Sequence, residues 1–185
     1  TLEQRKDFTG NLDVYFQFDD YIESKRRRIA ASTVHIYMEV KRYLQAFEKF
    51  RGRKITFKSF DVDFYHDFVE FMTFDYESYR YTRTGLKGLK RNTMGKAIKH
   101  LRLFLKDRIR RKIIPPIDLT EYKVFEEVAD ATYLTSYEIE TIYKLDLSLN
   151  PKLEIARDLL ILGCLTGLRF SDFSSIKPED IRNGK

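Results

Sequence analysis

Cysteine is nearly absent: one residue, Cys164, among 185. A single thiol cannot build a disulfide framework or a cysteine-rich metal site, and it fits a reducing cytoplasm, the expected location. Its apolar neighbours place Cys164 among core residues. Long apolar runs are also missing. The longest, Leu159 to Leu165, falls far short of the ~20 residues that span a bilayer, so no membrane partner is expected. The first residues, Thr1 to Asp7, are charged and hold no apolar signal core. No solenoid repeat and no low-complexity tract occurs. Acidic residues are almost missing from one stretch: between Arg80 and Lys112 there are 13 basic residues and one acidic residue, Asp107.

What is present is a folding composition. Hydrophobic content of 43% and aromatic content of 15% supply a real core, enough for one large domain or two small ones. The net charge of +6 conceals an asymmetry. Residues 1–112 carry 26 Lys and Arg against 15 Asp and Glu, a net of +11, whereas residues 113–185 carry 8 against 13, a net of −5. A merely solvated helix pairs its lysines with glutamates, and that pairing is missing in the basic stretch. So lopsided a segment points to a polyanionic partner.

The periodicity reads as mainly α. A first helix is expected over residues 8–27, with Leu12, Tyr15, Phe16, Phe18 and Ile22 on its apolar face. Ser32-Thr33 reads as the cap of a second helix running to Gly52. Asp61 caps a third, to about Phe74. Residues 75–91 read as a polar loop. A fourth helix is expected to start at Asn92-Thr93, with Met94, Ala97, Ile98, Leu101, Phe104 and Leu105 on its dry face. Paired prolines in Ile113-Ile114-Pro115-Pro116 break a helix and stiffen a chain, and the charge changes sign there. The expected boundaries are therefore 1–112 for a helical domain, 113–134 for a linker with a short extended piece between Val124 and Leu134, and 135–185 for the start of a second domain. Thr135 and Glu138 form a capping box. Pro151 suits a first helical turn, and the helix it opens becomes apolar all round from Leu159 to Leu165, which predicts burial. Gly167 ends it.

The residues alone argue for nucleic-acid contact. Lys96, Lys99, Arg102, Lys106 and Arg110 fall mostly opposite the dry face of the fourth helix. Lys87, Lys90 and Arg91 precede it, and Ser32, Thr33 and Thr93 mark helix starts, where backbone N–H groups attract anions. Base readout falls to Asn92, Lys96, Lys99 or His35, with none singled out. RNA stays open on charge alone, but no RNP-like string or stacking platform occurs. Arg169 stands apart, on a Thr-Gly turn just past an apolar helix, where a guanidinium can be held rigidly for bidentate contact with phosphate. A purely structural arginine there would pair with Asp172 or another acidic neighbour.

Thr166-Gly167-Leu168-Arg169, followed by Ile176-Lys177-Pro178-Glu179-Asp180-Ile181, resembles the first active-site box of the tyrosine recombinases, the phage-type integrases. Lys87 through Leu105 resembles the last helix of their core-binding domain, with integrases of Bacteroides-type mobile elements the most similar, and Ser32-Thr33 through Phe47 resembles an earlier helix of it. The likeness spans nearly the whole chain. It implies a four-helix SAM-like core-binding bundle that clamps double-stranded DNA, followed by the first, mostly helical part of an α+β catalytic domain. It also implies a tyrosine nucleophile, a 3′-phosphotyrosyl intermediate, no metal, no nucleotide cofactor, and self-association into a synaptic tetramer. Arg169 is the first catalytic arginine in that scheme; Asp172, read from the residues alone, is structural and orients it.

The chain departs from the family in one large respect. None of its three histidines, His35, His66 and His100, has an arginine three residues on, so the His-x-x-Arg box is missing. So are the β-hairpin lysine and a candidate nucleophile, and none of the twelve tyrosines is assigned that role. The chain extends sixteen residues past Arg169, and alone it is expected neither to cut nor to join DNA, and to leave the apolar face of the Leu159 helix open. Two other functions are consistent with the residues: a non-catalytic DNA-binding regulator, and a helical protein-interaction module with an acidic partner.

Overall fold

A computed structural model of the chain describes residues 11–77, 87–128 and 132–177. It is mainly helical, with seven α-helices and no strand among the described residues. The chain forms two compact units, Thr1–Val128 and Ala129–Lys185.

Unit one is a bundle of four helices. Helix α1 spans Val14–Lys25 and starts where Asp13 accepts hydrogen bonds from the Tyr15 and Phe16 amides. Of the expected first helix, residues 8–10 lie outside the described residues, and residues 11–13 are not helical, because the Asp13 cap starts the helix after them and leaves Leu12 exposed. Helix α2 spans Ala31–Arg51 and is ended by Gly52 in the left-handed conformation. Helix α3, Val62–Glu70, is capped by Asp61 as expected, 2.8 Å from the Phe64 amide, and runs into a π turn at Phe71–Asp75. Helix α4 spans Arg91–Arg110.

Two further helix starts differ from expectation, by two or three residues. Helix α2 is capped by Ala30 and α4 by Lys90, neither with a side-chain cap bond. Ser32, Thr33 and Thr93 therefore lie inside first turns rather than at caps. For α4 the reason is upstream. The Gly88 and Leu89 amides donate to the Tyr76 and Met72 carbonyls at 2.8 Å each, so the chain is already pinned there. Gly88 has φ +81°, and a Cβ on it would lie 1.9 Å from the Thr73 carbonyl oxygen, so the close approach needs glycine.

The core is aromatic. Phe18, Tyr21, Phe47, Phe64, Phe68 and Phe104 are fully buried, each contributing on the order of 1.5–3 kcal/mol by leaving water. Phe47 meets Phe64, Phe68 and Phe71 at 5.2–5.4 Å between ring centroids, a spacing at which tilted and edge contacts are favourable. The buried Tyr21 and Tyr37 hydroxyls satisfy each other at 3.0 Å, and burial raises both phenol pKa values. One cation joins this core: Arg108 is fully buried.

The segment expected to be a linker from residue 113 does not begin as one. Lys112, at φ 58°, ends α4, the prolines prevent its continuation, and the chain folds back over the bundle. Ile114, Leu119 and Tyr122 are buried. The Tyr122 hydroxyl donates to the Asp61 carbonyl at 3.1 Å, and Tyr65 donates to the Lys123 carbonyl at 3.2 Å. The apolar residues at 114, 119 and 122 explain the difference, since they have a dry surface to cover. This strap belongs to unit one as far as Val128.

In unit two, the Thr135 and Glu138 capping box forms as expected and opens α5, Ser136–Tyr143. Asn150 caps α6, Pro151–Thr166, with Pro151 in its first turn and Gly167 at φ 65° closing it. Helix α7 is Phe170–Phe173. Burial of the Leu159–Leu165 stretch does not hold among the described residues. Ile161 is buried, but Leu160, Leu162, Leu165 and Cys164 are exposed. The packing of α6 is partial: α5 lies beside Ile161, and Phe173 of α7 lies over Gly163, where a Cβ would be 3.1 Å from the Phe173 ring. Cys164 is thus not a core residue here.

Candidate nucleic-acid interface

Helix α4 sorts its residues by period. Met94, Ala97, Ile98, Leu101, Phe104, Leu105 and Arg108 point into the core. Asn92, Lys96, Lys99, Leu103, Lys106 and Arg110 are exposed, at alternating steps of four and three residues, so they line one side of the helix. From Lys96 to Arg110 the row is about 21 Å long at 1.5 Å per residue. Lys96, Lys99 and Lys106 have no ion-pair partner among the described residues. Arg110 donates to Asp107 at 3.0 Å. Three uncompensated ammonium groups on one ridge form a positive stripe that water and salt screen only partly at contact distance.

The structure separates the other expected contacts. Lys87 is exposed and pairs with Glu77 at 2.9 Å, which raises the Lys87 pKa and lowers that of Glu77. Lys90 is exposed at the helix cap. Arg91 lies over the Phe125 ring, 5.7 Å from its centroid. Thr93 is exposed. On α2, Ser32 is exposed, Thr33 is half-buried, and the His35 Nε2 lies 3.4 Å from Glu39. The ring of His100 on α4 meets Tyr37 of α2 at 4.9 Å, which ties the start of α2 to the middle of α4.

Two residues expected to touch nucleic acid are occupied by the protein itself. Arg102 is half-buried and donates to the Tyr122 carbonyl at 2.9 Å. Asn92 uses both halves of its amide on one residue: Nδ2 donates to the Glu127 carbonyl at 2.9 Å, and Oδ1 accepts from the Glu127 amide at 2.7 Å. Both side chains hold the strap, a role that sequence spacing does not reveal, because paired prolines and a change of charge sign signal a linker there.

Sequence reasoning also missed one buried arginine and one basic cluster. Arg108 sits in the basic stretch but is not a surface charge. It donates to Asp20 at 2.6 Å, to Gln17 at 2.9 Å and to Asp107 at 2.9 Å, with Tyr21 beside the guanidinium. Its position three residues after Leu105 and four after Phe104, on the dry face, was the available signal. The loop after α2 gathers Arg51, Arg53, Lys54 and Lys58 around one cleft. There Arg51 pairs with Asp67 and Lys54 with Asp13.

In unit two, Arg169 is the residue before α7, extended at φ −68° and ψ 150° and exposed. Its guanidinium has no hydrogen-bond or ion-pair partner among the described residues. Asp172 accepts from the Ser171 hydroxyl at 3.1 Å instead, so the expected orientation of Arg169 by Asp172 is not formed. The turn that carries Arg169 is held from behind: Thr166 donates to the Leu162 carbonyl at 2.8 Å, and Gly167 supplies the left-handed step.

No helix among the described residues is long and apolar enough to cross a membrane. No curated protein and no solved structure matches the chain. The match that exists covers the whole bundle and most of its strap: residues 13–124 fit the family model of the phage integrase SAM-like domain, and the chain belongs to that family.

Proposed function

We propose that this chain is the DNA-binding front portion of a site-specific tyrosine recombinase, which breaks and rejoins DNA through a 3′-phosphotyrosyl intermediate. The observation that supports it best is the row of uncompensated cations, Lys96, Lys99 and Lys106, on the exposed side of α4 in a domain of the phage integrase SAM-like family. A stretch of duplex as long as this row carries on the order of twelve phosphate charges. The row, with Lys87, Lys90 and the start of α2, tracks the backbone and fixes register without reading bases. In the parent enzyme Arg169 stabilises charge on the phosphodiester under attack. Its rigid turn and unengaged guanidinium suit that role.

The test is fluorescence anisotropy of a labelled 30-base-pair duplex against salt. Each phosphate neutralised contributes about 0.9 to the slope of log affinity against log salt, so three or more contacts give a slope of about −3 or steeper. A slope near zero, or no binding at low salt, overturns the reading and favours a protein partner. Covalent trapping on a nicked suicide duplex, with the parent protein, tests the catalytic half. Binding without an adduct would favour a DNA-binding regulator.

A further inference from the structure

The residue that heads the cationic row of α4 is the residue that holds the strap. Asn92 lies one turn before Lys96 on the same side of the helix, and its amide grips the Glu127 backbone at both N–H and C=O. Resting on the DNA-binding reading above, we propose that residues 125–127 are an acidic tip that covers the start of this row, and that DNA displaces it. This makes the end of the strap an autoinhibitory contact.

Three observations divide the strap into a fixed root and a releasable tip. The root is core: Ile114, Leu119 and Tyr122 are buried, and Tyr122 is bonded to Asp61 through its hydroxyl and to Arg102 through its carbonyl. The tip lies on the surface. Phe125 is half-buried, while Glu126, Glu127 and Val128 are exposed. Phe125 also packs against the core, and the polar and close backbone contacts of the tip among the described residues come from the first turns of α4. Arg91 lies over the Phe125 ring, Gly95 admits the Phe125 carbonyl to a place where a Cβ would be 2.0 Å away, and Asn92 grips Glu127.

The charges give the tip its function. Glu126 and Glu127 carry adjacent exposed carboxylates, the Glu127 backbone is held at Asn92 in the first turn of α4, and neither carboxylate has an ion-pair partner among the described residues. They lower the positive potential where a phosphate would arrive, and they repel that phosphate. Arg91 cannot lie over Phe125 and also reach along a DNA backbone. A duplex on the row therefore competes with the tip for the same helix turns.

The experiment is hydrogen–deuterium exchange of the chain, free and with a 30-base-pair duplex at low salt, beside anisotropy on the same samples. The expected result is faster exchange of the 125–128 amides with DNA bound, while Tyr122 stays protected. Glu126→Gln/Glu127→Gln binds DNA at least threefold more tightly at low salt, an advantage that fades as salt rises. Asn92→Ala, at an exposed position, speeds exchange at 125–128 in the free protein to the DNA-bound level. If DNA binds and the 125–128 amides become more protected, the tip is a fixed brace and the proposal is wrong. It is equally wrong if the glutamine pair leaves affinity unchanged. If no variant binds DNA, the DNA-binding reading fails first, and the anisotropy shows that directly.

Discussion

Asp20 on α1 and Arg108 on α4 are joined by a 2.6 Å charge-assisted hydrogen bond across 88 residues of sequence. Arg108 is 0% exposed and Asp20 only partly so. Gln17 and Asp107 complete a buried polar knot inside an aromatic core. Such a pair is weak evidence of net stabilisation, because desolvating two ions is costly, but breaking it strands a charge. Asp20→Ala is therefore expected to destabilise unit one by about 3 kcal/mol, near the low end for a buried pair because Asp20 keeps some water and Asp107 still compensates Arg108. Chemical denaturation of wild type and variant checks this. A loss under 1 kcal/mol would show that Asp107 and Gln17 suffice.

The cationic row makes a graded prediction. Lys96, Lys99 and Lys106 are exposed and touch no acidic partner among the described residues, so glutamine at these positions leaves the fold within about 0.5 kcal/mol. Each substitution is expected to flatten the salt slope of DNA binding by about 0.9. Lys87→Gln is expected to do less, because Lys87 already pairs with Glu77. Equal slopes for wild type and the triple variant would move the interface off α4, with the Arg51–Lys58 loop next to be tested.

Gly95 separates helix propensity from packing. On an isolated helix, alanine is better than glycine by about 0.5–1 kcal/mol. Here a Cβ would stand 2.0 Å from the Phe125 carbonyl oxygen, and backbone cannot yield that distance without moving the strap. Gly95→Ala is expected to leave α4 helical by circular dichroism and to raise exchange of the 123–128 amides. Unchanged exchange there would mean the strap does not rest on Gly95 in solution.

Local signals in the sequence were legible; distant ones were not. The capping box of Thr135 and Glu138, the Asp61 cap, Pro151 and Gly167 each act within a few residues, and each forms where the sequence places it. The start of α4 moved because backbone pinning through Gly88 and Leu89 outweighs a good capping side chain; the shift of α2 to an Ala30 cap has no structural explanation. Arg108 was hidden by its neighbours: a count of basic residues ignores that position 108 continues the face of Leu101, Phe104 and Leu105. The strap was hidden by its prolines, which break a helix whether the chain then leaves the domain or turns back over it. The apolar residues at 114, 119 and 122 decide between those outcomes, and only a surface to cover gives them meaning.

Asp13 ties the start of α1 to acidity. Its carboxylate accepts from the Phe16 and Tyr15 amides and faces Lys54, which together hold its pKa below the ordinary value, the Phe16 hydrogen bond foremost and partial burial opposing. A depressed folded pKa contributes stability that is present above the unfolded value of about 3.9 and is lost as pH falls through the folded value. Asp13→Ala is expected to cost about 1 kcal/mol at neutral pH. Asp13→Asn keeps the cap and shows a smaller loss between pH 4 and 2. Thermal melts at pH 7, 4 and 2 check both.

Arg169 tests the catalytic half because its structural role is small. Its guanidinium is exposed and unpartnered among the described residues, and the turn beneath it is held by Thr166 and Gly167. Arg169→Ala is therefore expected to change stability by no more than about 0.5 kcal/mol and to leave DNA affinity of the bundle intact. Removing one preorganised donor to a developing oxyanion costs on the order of a hundredfold to a thousandfold in rate, so the same substitution in the parent protein should nearly abolish covalent trapping on a nicked suicide duplex. Arg169→Lys keeps the charge but loses the bidentate fork and should restore only a small part of it. A variant that traps as well as wild type would show that Arg169 stands at a turn and nothing more, and would turn the reading toward a DNA-binding protein without strand chemistry.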